Sequence, residues 1–352
     1  MPSTPSNGLQ SFQGKSFLIT GGTGTMGQAL ALRLLQYQPR VIRLFSRDEH
    51  KQYVMKQRLG DIPNLRYLIG DVRDYERVSR AVEGIDIVIH TAALKHVPAC
   101  EYNPFEAVQT NVIGTQNVIL ACQRQGVQQV LFTSSDKAIA PPNTMGATKL
   151  LAERLMIAAA YAHGSSRTTL CSVRFGNVLG SRGSAFLQFI RDLRAGRPVQ
   201  VTDMDMTRFM MSVEEAVSLV LKALDMAHGG DVFVLKMPVV RLGTVVEALV
   251  DQFGKPSDGS LMDQIEVIGP RQGEKMFEEL LSDDEAKRAL EWEDMFVLPP
   301  WWEVRPHYDG AKSTTGEVYT SKSLPVLSLR ETKEMLAALT FPEPSGEDKF
   351  DT

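Results

Sequence analysis

The chain has 352 residues, a formal net charge of -4 and 43% hydrophobic residues, enough to bury a large core and, at roughly 150 residues per domain, to build about two lobes. The mildly acidic balance speaks against a nucleic-acid partner or a membrane surface, and no apolar run approaches the roughly 18 residues of a spanning helix. The start M-P-S-T-P-S-N-G lacks a basic stretch followed by an apolar one, so a cytoplasmic location is expected. After a flexible leader over 1–13, K-S-F-L-I-T reads as a buried strand, G-G-T-G-T-M-G as a tight turn and Gln28 to Gln36 as a helix. The pattern repeats at 41–46, 65–70, 85–90 and 129–134, each an apolar run with a helical segment after it. Short apolar strands alternating with helices predict an α/β fold, a doubly wound parallel sheet of the Rossmann type over 14–175.

Past Arg174 the alternation breaks at G-N-V-L-G-S-R-G-S, which precedes a helix near Ala185 to Ala195. A smaller substrate-binding lobe is expected over 176–209 and 236–300, with the chain back at the sheet over 210–235 through Ser212 to Ala227 and Asp231 to Leu235. From 301 to 352 lies a C-terminal extension, irregular over Trp301 to Thr314, helical at Leu329 to Leu339 and disordered over its last residues. Cys100, Cys122 and Cys171 are too few and too scattered for a disulfide framework or a zinc site, and are expected to be small buried residues. His50, His90, His163, His228 and His307 show no metal spacing, so no metal is expected.

Gly21, Gly24 and Gly27 follow the first strand directly and open a helix. In that setting glycines let the backbone turn and approach a pyrophosphate, whose charge sits on the helix N-terminus, so the turn with Thr23, Thr25 and Met26 is read as a dinucleotide site. The second strand ends in Phe45-Ser46-Arg47, where a hydroxyl beside a guanidinium suits the 2'-phosphate of NADP; Asp48 nearby leaves room for NAD. Asp71 and Val72 after the third strand are expected at the adenine, and Ala92 and Ala93 after the fourth are small enough to lie along the cofactor.

The stretch S-S-D-K-A-I-A-P-P-N-T-M-G-A-T-K from Ser134 to Lys149 keeps the lysine of a Tyr-x-x-x-Lys dehydrogenase pair but has Met145 where the tyrosine would stand. A thioether is a weak acceptor that never titrates, so it cannot take an alcohol proton. Asp136 and Lys137, at the end of an apolar strand, are the candidates for that work.

These residues resemble the extended short-chain dehydrogenase/reductases, and within them the soluble UDP-N-acetylglucosamine 4,6-dehydratases of surface-polysaccharide biosynthesis. The likeness covers most of 15–300 and rests on G-G-T-G-T-M-G, F-S-R-D-E, G-D-V-R-D, A-A-L-K-H-V-P, T-N-V-I-G-T-Q-N-V, S-S-D-K-A, M-G-A-T-K, R-F-G-N-V-L-G-S-R-G-S, M-T-R-F and G-P-R-Q-G-E-K, in family order. Three positions depart from it: Ser135 for a threonine, Met145 for the tyrosine and Gln272 for a proline.

The resemblance implies a recycled, tightly bound NADP and a three-step cycle: C4 oxidation, loss of water across C5 and C6, and return of the hydride to C6, with C5 configuration left open. It implies Lys137, neutral, as C5 base, its pKa lowered by the nicotinamide and Lys149; Asp136, protonated, as the acid that expels water; and Lys149 on the nicotinamide ribose. Ser134 and Ser135 are expected at the sugar O4, with Ser135 relaying its proton, and Met145 as packing. It places Asn177, Arg182, Arg208 and Arg271 around the UDP moiety, Glu274 on the uridine ribose, and Lys95 in the cleft beside cofactor and sugar. Related enzymes form homo-oligomers, so a dimer or hexamer is expected. A UDP-sugar 4-epimerase, or a non-catalytic NADP-binding protein, are the alternatives.

Overall fold

The computed structural model describes residues 10–162, 164–254, 264–302, 308 and 310–337. The leader up to residue 9, the tail from 342, His163 and His307 lie outside the described residues.

The strands of the main sheet are β1 (Ser16–Thr20), β2 (Val41–Ser46), β3 (Leu65–Ile69), β4 (Ile87–His90), β5 (Gln129–Thr133), β6 (Thr169–Arg174), β7 (Val232–Leu235), β8 (Leu290–Glu291), β9 (Met295–Leu298) and β10 (Lys312–Ser313). They are ordered β10-β8-β9-β7-β6-β5-β4-β1-β2-β3, and every pair from β3 to β7 is parallel. This is a Rossmann-type α/β fold. β1 lies between β2 and β4, with Thr20 opposite Phe45 on one side and His90 on the other. The order of the chain reverses there, which opens a crevice beyond the carboxyl ends of β1 and β4.

The apolar runs bury both faces of the sheet. Phe17 and Ile19 enter one core with Leu30, Leu34 and Val217, while Leu18 enters the other with Val78, Val118 and Met156. Helices Thr25–Leu35 and Val213–Met226 cover the first face; Tyr75–Val82, Gly114–Gln125 and Thr144–Tyr161 cover the second. Ser212 is the N-cap of Val213–Met226 and forms a reciprocal box with Glu215, which sets the start of that helix.

Three segments differ from the expected boundaries. β8 and β9, assigned by sequence to the smaller lobe, belong to the large sheet, where β9 pairs antiparallel with β7, and β10, assigned to the irregular stretch, pairs with β8 at its edge. An antiparallel addition needs no crossover helix, so the strand-helix alternation carries no sign of it.

The smaller lobe is built from short sheets. Asn177–Val178, Thr207–Met211 and Val239–Arg241 form one; Val199–Val201 pairs with Ile265–Val267, and Glu279–Leu281 with Tyr319–Thr320. The last pairing brings the C-terminal extension back to the lobe, where helix Leu329–Ala337 packs by Leu336 among Val245, Leu249 and Ile190.

Candidate active site

A cavity of about 1650 Å³ runs along the carboxyl ends of the parallel strands and out between sheet and smaller lobe. At one end is the glycine turn. Gly21 has φ +67°, and a Cβ there would stand 2.8 Å from Thr91 Oγ1 and 2.9 Å from Ala92 N, so only glycine lets the turn close on the loop after β4. Helix Thr25–Leu35 starts at Gly24 with no side-chain cap and no acidic residue in its first turn, which leaves its N–H groups free for an anion. Beyond β2, Ser46 Oγ accepts from Gln52, and Asp48 caps helix Glu49–Leu59 by accepting from Lys51 N at 2.9 Å. Asp71 is engaged too: Arg73 donates to it from Nε at 2.9 Å, and Arg47 stands 3.6 Å away. Burial pushes the Asp71 carboxyl up, but those donors outweigh it and hold it below its ordinary value. The buried hydroxyls of Ser134 and Thr110, both on the cavity wall, have no partner among the described residues. Uncapped helix, close glycine turn and unpaired hydroxyls together fit a dinucleotide.

Helix Thr144–Tyr161 delivers Met145 and Lys149. Asn143 caps it, accepting from Gly146 N at 2.8 Å, and its amide also donates to Gly273 O at 2.9 Å, tying the helix to the G-P-R-Q-G-E-K loop. A Cβ on Gly146 would come within 2.2 Å of Lys137 O, so the helix can approach the Asp136 turn this closely only with glycine. Lys149 Nζ donates to Thr133 O at 2.8 Å and sits 4.6 Å from the Phe132 ring centroid. Burial lowers its pKa to about 8. Met145 is buried against Cys100, Ala107, Leu94 and Val97.

The turn Asp136–Ala138 follows β5. Asp136 is fully buried, and its Oδ1 accepts from Ser135 Oγ at 2.7 Å, from Lys137 N at 2.8 Å and from Lys137 Nζ at 3.1 Å. Lys137 Nζ also lies 3.5 Å from Glu278 Oε1. One expectation differs here. Lys137 is not pushed toward the neutral amine: burial acts in that direction, but Asp136 and Glu278 outweigh it and hold the ammonium above the ordinary lysine value. The cation that opposes them is Arg208, while Lys149 is turned to the Thr133 carbonyl. Asp136 Oδ1 in turn accepts from three donors, two of them on Lys137 and one on Ser135.

A family described as "Polysaccharide biosynthesis protein" matches residues 17–300. The chain belongs to that family. A relative named UDP-glucose 4-epimerase from Rickettsia rickettsii is 40% identical over 94% of this chain and 97% of its own length. An uncharacterised membrane protein of Methanocaldococcus jannaschii is 44% identical over 94% of this chain and 97% of its own length, although among the described residues here no helix is long and apolar enough to cross a membrane. The X-ray structure of Pen from Bacillus thuringiensis superposes with a TM-score of 0.86 at 45% identity, covering 93% of this chain and 98% of that one. DesIV of Streptomyces venezuelae, a dTDP-glucose 4,6-dehydratase solved with NAD, shares the fold at 19% identity and a TM-score of 0.67, covering 74% of this chain and 86% of its own.

For this member of the polysaccharide biosynthesis family, the cavity wall gathers every residue singled out from sequence. Gly21, Thr23, Gly24, Thr25, Met26, Gly27, Ser46, Arg47, Asp71, Val72, Ala92 and Ala93 line its inner end. Ser134, Ser135, Asp136, Lys137, Met145 and Lys149 lie at the middle, and Asn177, Arg182, Arg208, Arg271 and Glu274 on the smaller lobe. Lys95 bridges the two halves by donating to Arg182 O at 2.6 Å. Glu274 Oε2 accepts from Arg271 N at 3.1 Å, which fixes the loop that carries both. Sequence reasoning missed Glu278 and Thr110. Glu278 stands four residues past Glu274 in a charged run that reads as surface, and only the pairing of Glu279–Leu281 with Tyr319–Thr320 turns it inward.

Proposed function

We propose that this protein catalyses the 4,6-dehydration of a UDP-N-acetylhexosamine, UDP-N-acetylglucosamine, to a UDP-2-acetamido-2,6-dideoxy-4-hexulose, with NADP bound and recycled. The observation that carries the reading is the Asp136–Lys137 pair in the cleft beside Lys149, with a buried methionine at the position of a titrating tyrosine. A bound nicotinamide dinucleotide would accept the C4 hydride and give it back at C6. The chain itself handles the protons. Ser135 Oγ, 2.7 Å from Asp136, passes the O4 proton to that carboxylate. Asp136 thereby gains in the first step the proton that the departing C6 hydroxyl needs in the second, so it can begin as an acceptor. Lys137 takes the C5 proton, made acidic by the new ketone. Arg182, Arg208, Arg271 and Asn177 receive the diphosphate, Glu274 the uridine ribose and Lys149 the nicotinamide ribose.

The names of the Rickettsia relatives favour a second reading, a UDP-sugar 4-epimerase. An epimerase must reprotonate O4 and has no step for an Asp-Lys pair. Incubating the protein with UDP-N-acetylglucosamine in deuterated water separates the two by proton NMR. Dehydration gives a C6 methyl signal with deuterium at C5; a galacto-configured sugar with its C6 hydroxymethyl intact would transfer the site to epimerisation.

NADP is favoured over NAD because Asp48, the carboxylate placed to hold a ribose 2'-hydroxyl, is spent on capping a helix and pairing with Lys51, while Arg47 is half exposed at the cavity. Arg47→Ala is expected to weaken NADP binding on the order of 10- to 100-fold, the size of a lost charge-assisted contact, and to leave NAD binding unchanged. Equal losses for both cofactors in a fluorescence titration would refute the assignment.

A further inference from the structure

Glu278 is a carboxylate that the site holds and the scheme above does not use. It is 4% exposed and lines the cavity. Its Oε1 lies 3.5 Å from Lys137 Nζ and 4.0 Å from Arg208 Nε, and its Oε2 is buried with no hydrogen-bond partner among the described residues. Its backbone is fixed independently of the side chain: the N–H donates to Ser321 Oγ at 2.9 Å and the carbonyl accepts from Ser321 N at 2.8 Å. An ionised carboxylate with one oxygen buried and unpaired is costly, and taking a proton relieves that cost.

Building on the dehydratase reading, we propose that Glu278 is the proton acceptor for Lys137, a positioning residue that turns the resting ammonium into the free amine that reaches C5. At rest Lys137 is an ammonium between two carboxylates. When the O4 proton arrives at Asp136, that carboxylate is neutralised and its hold on the ammonium is lost. A proton then passes from Lys137 Nζ to Glu278, giving amine and carboxylic acid. The amine takes the C5 proton and later returns one to C5, and Glu278 gives its proton back to the lysine. Protons balance over the cycle, and no group outside the site is required. The charged groups facing Glu278 agree with the direction. Burial pushes its carboxyl above the ordinary value, against Lys137, Arg208 and Lys275, and the Asp136 charge adds to that push only at rest, before the O4 proton arrives.

Two measurements on Glu278→Gln test this. The first is the pH dependence of Lys137 acylation by acetic anhydride, read by peptide mass spectrometry without nucleotide sugar. Loss of the anion is expected to move Lys137 reactivity to lower pH. The second is the pH profile of dehydration. The variant is expected to lose about 10²-fold at neutral pH, the size of a proton-transfer contribution, because the ammonium that Asp136 still holds at rest has no second carboxylate to take its proton, to regain rate over the pH range in which its own acylation profile shows Lys137 becoming the amine, and to keep its first hydride transfer. Glu278→Asp keeps a carboxylate and is expected to be faster than the isosteric Gln variant; a packing role requires the opposite order. An unchanged acylation profile would overturn the proposal, as would a shifted one with full neutral-pH dehydration. A wild-type protein that shows the acylation dependence but no C5 exchange with UDP-N-acetylglucosamine would overturn the dehydratase reading, and the Lys137 acceptor step with it, while leaving the charge coupling of the pair established.

Discussion

Lys137→Ala is expected to lower incorporation of solvent deuterium at C5 by about 10²- to 10⁴-fold, the range for loss of a positioned base, while nucleotide-sugar binding and hydride transfer from C4 persist. The fold should tolerate the change, because Asp136 keeps its bonds from Ser135 Oγ and the backbone N–H of residue 137. Lys137→Arg sharpens the result. A guanidinium can still pair with Asp136 and Glu278, but it does not deprotonate in proteins. The arginine variant should therefore be as inactive as the alanine variant and as stable as wild type. Retention of more than a tenth of the C5 exchange in either variant would remove Lys137 from the base role. If the arginine variant alone were active, its positive charge and not its proton would be what the reaction uses.

The parallel half of the fold was legible because its strands are short apolar runs buried on both faces, such as S-F-L-I-T, each followed by a turn and a helix. The antiparallel strands β8, β9 and β10 were not, since nothing in so short a segment distinguishes an added edge from a lobe strand. At the site, residues adjacent in sequence were read together and are together: Ser135, Asp136 and Lys137 share one turn. Glu278 was invisible for a physical reason. It reaches Lys137 across 141 positions of chain, and the strand pairing that aims it depends on Tyr319–Thr320 in a segment read as an extension. The resting charge on Lys137 was hidden for the same reason, because Glu278, which with Asp136 holds the ammonium, is remote in sequence.

Arg174→Met is expected to destabilise the protein by about 3–5 kcal/mol, the cost of leaving buried carboxylates without their cation. Arg174 is 1% exposed at the end of β6, and all of its donors are engaged: Nε and Nη2 to Glu153 at 2.8 and 2.5 Å, Nη1 and Nη2 to Glu285 at 2.7 and 2.8 Å, and Nη1 again to Leu280 O at 3.3 Å. Glu153 belongs to the helix that carries Lys149, and Glu285 to the short helix Asp283–Ala286 beyond Glu278. The arginine thus fastens the smaller lobe to the sheet next to the Asp136 turn, where Asp136 N donates to Phe175 O at 3.2 Å. Burial would raise the Glu285 carboxyl, but Arg174 outweighs it and holds it below its ordinary value of 4.5. Its share of stability is therefore complete above the unfolded value near 4.5 and disappears as pH falls through the lower folded value. Neutralising both partners in Arg174→Met with Glu153→Gln and Glu285→Gln should recover most of the loss and flatten the acid limb, since an uncharged buried cluster has no cation to miss. Urea denaturation of the three proteins at neutral pH and below pH 4.5 distinguishes the outcomes: a triple variant no more stable than Arg174→Met would mean that the arginine acts through its packing and not through its charge.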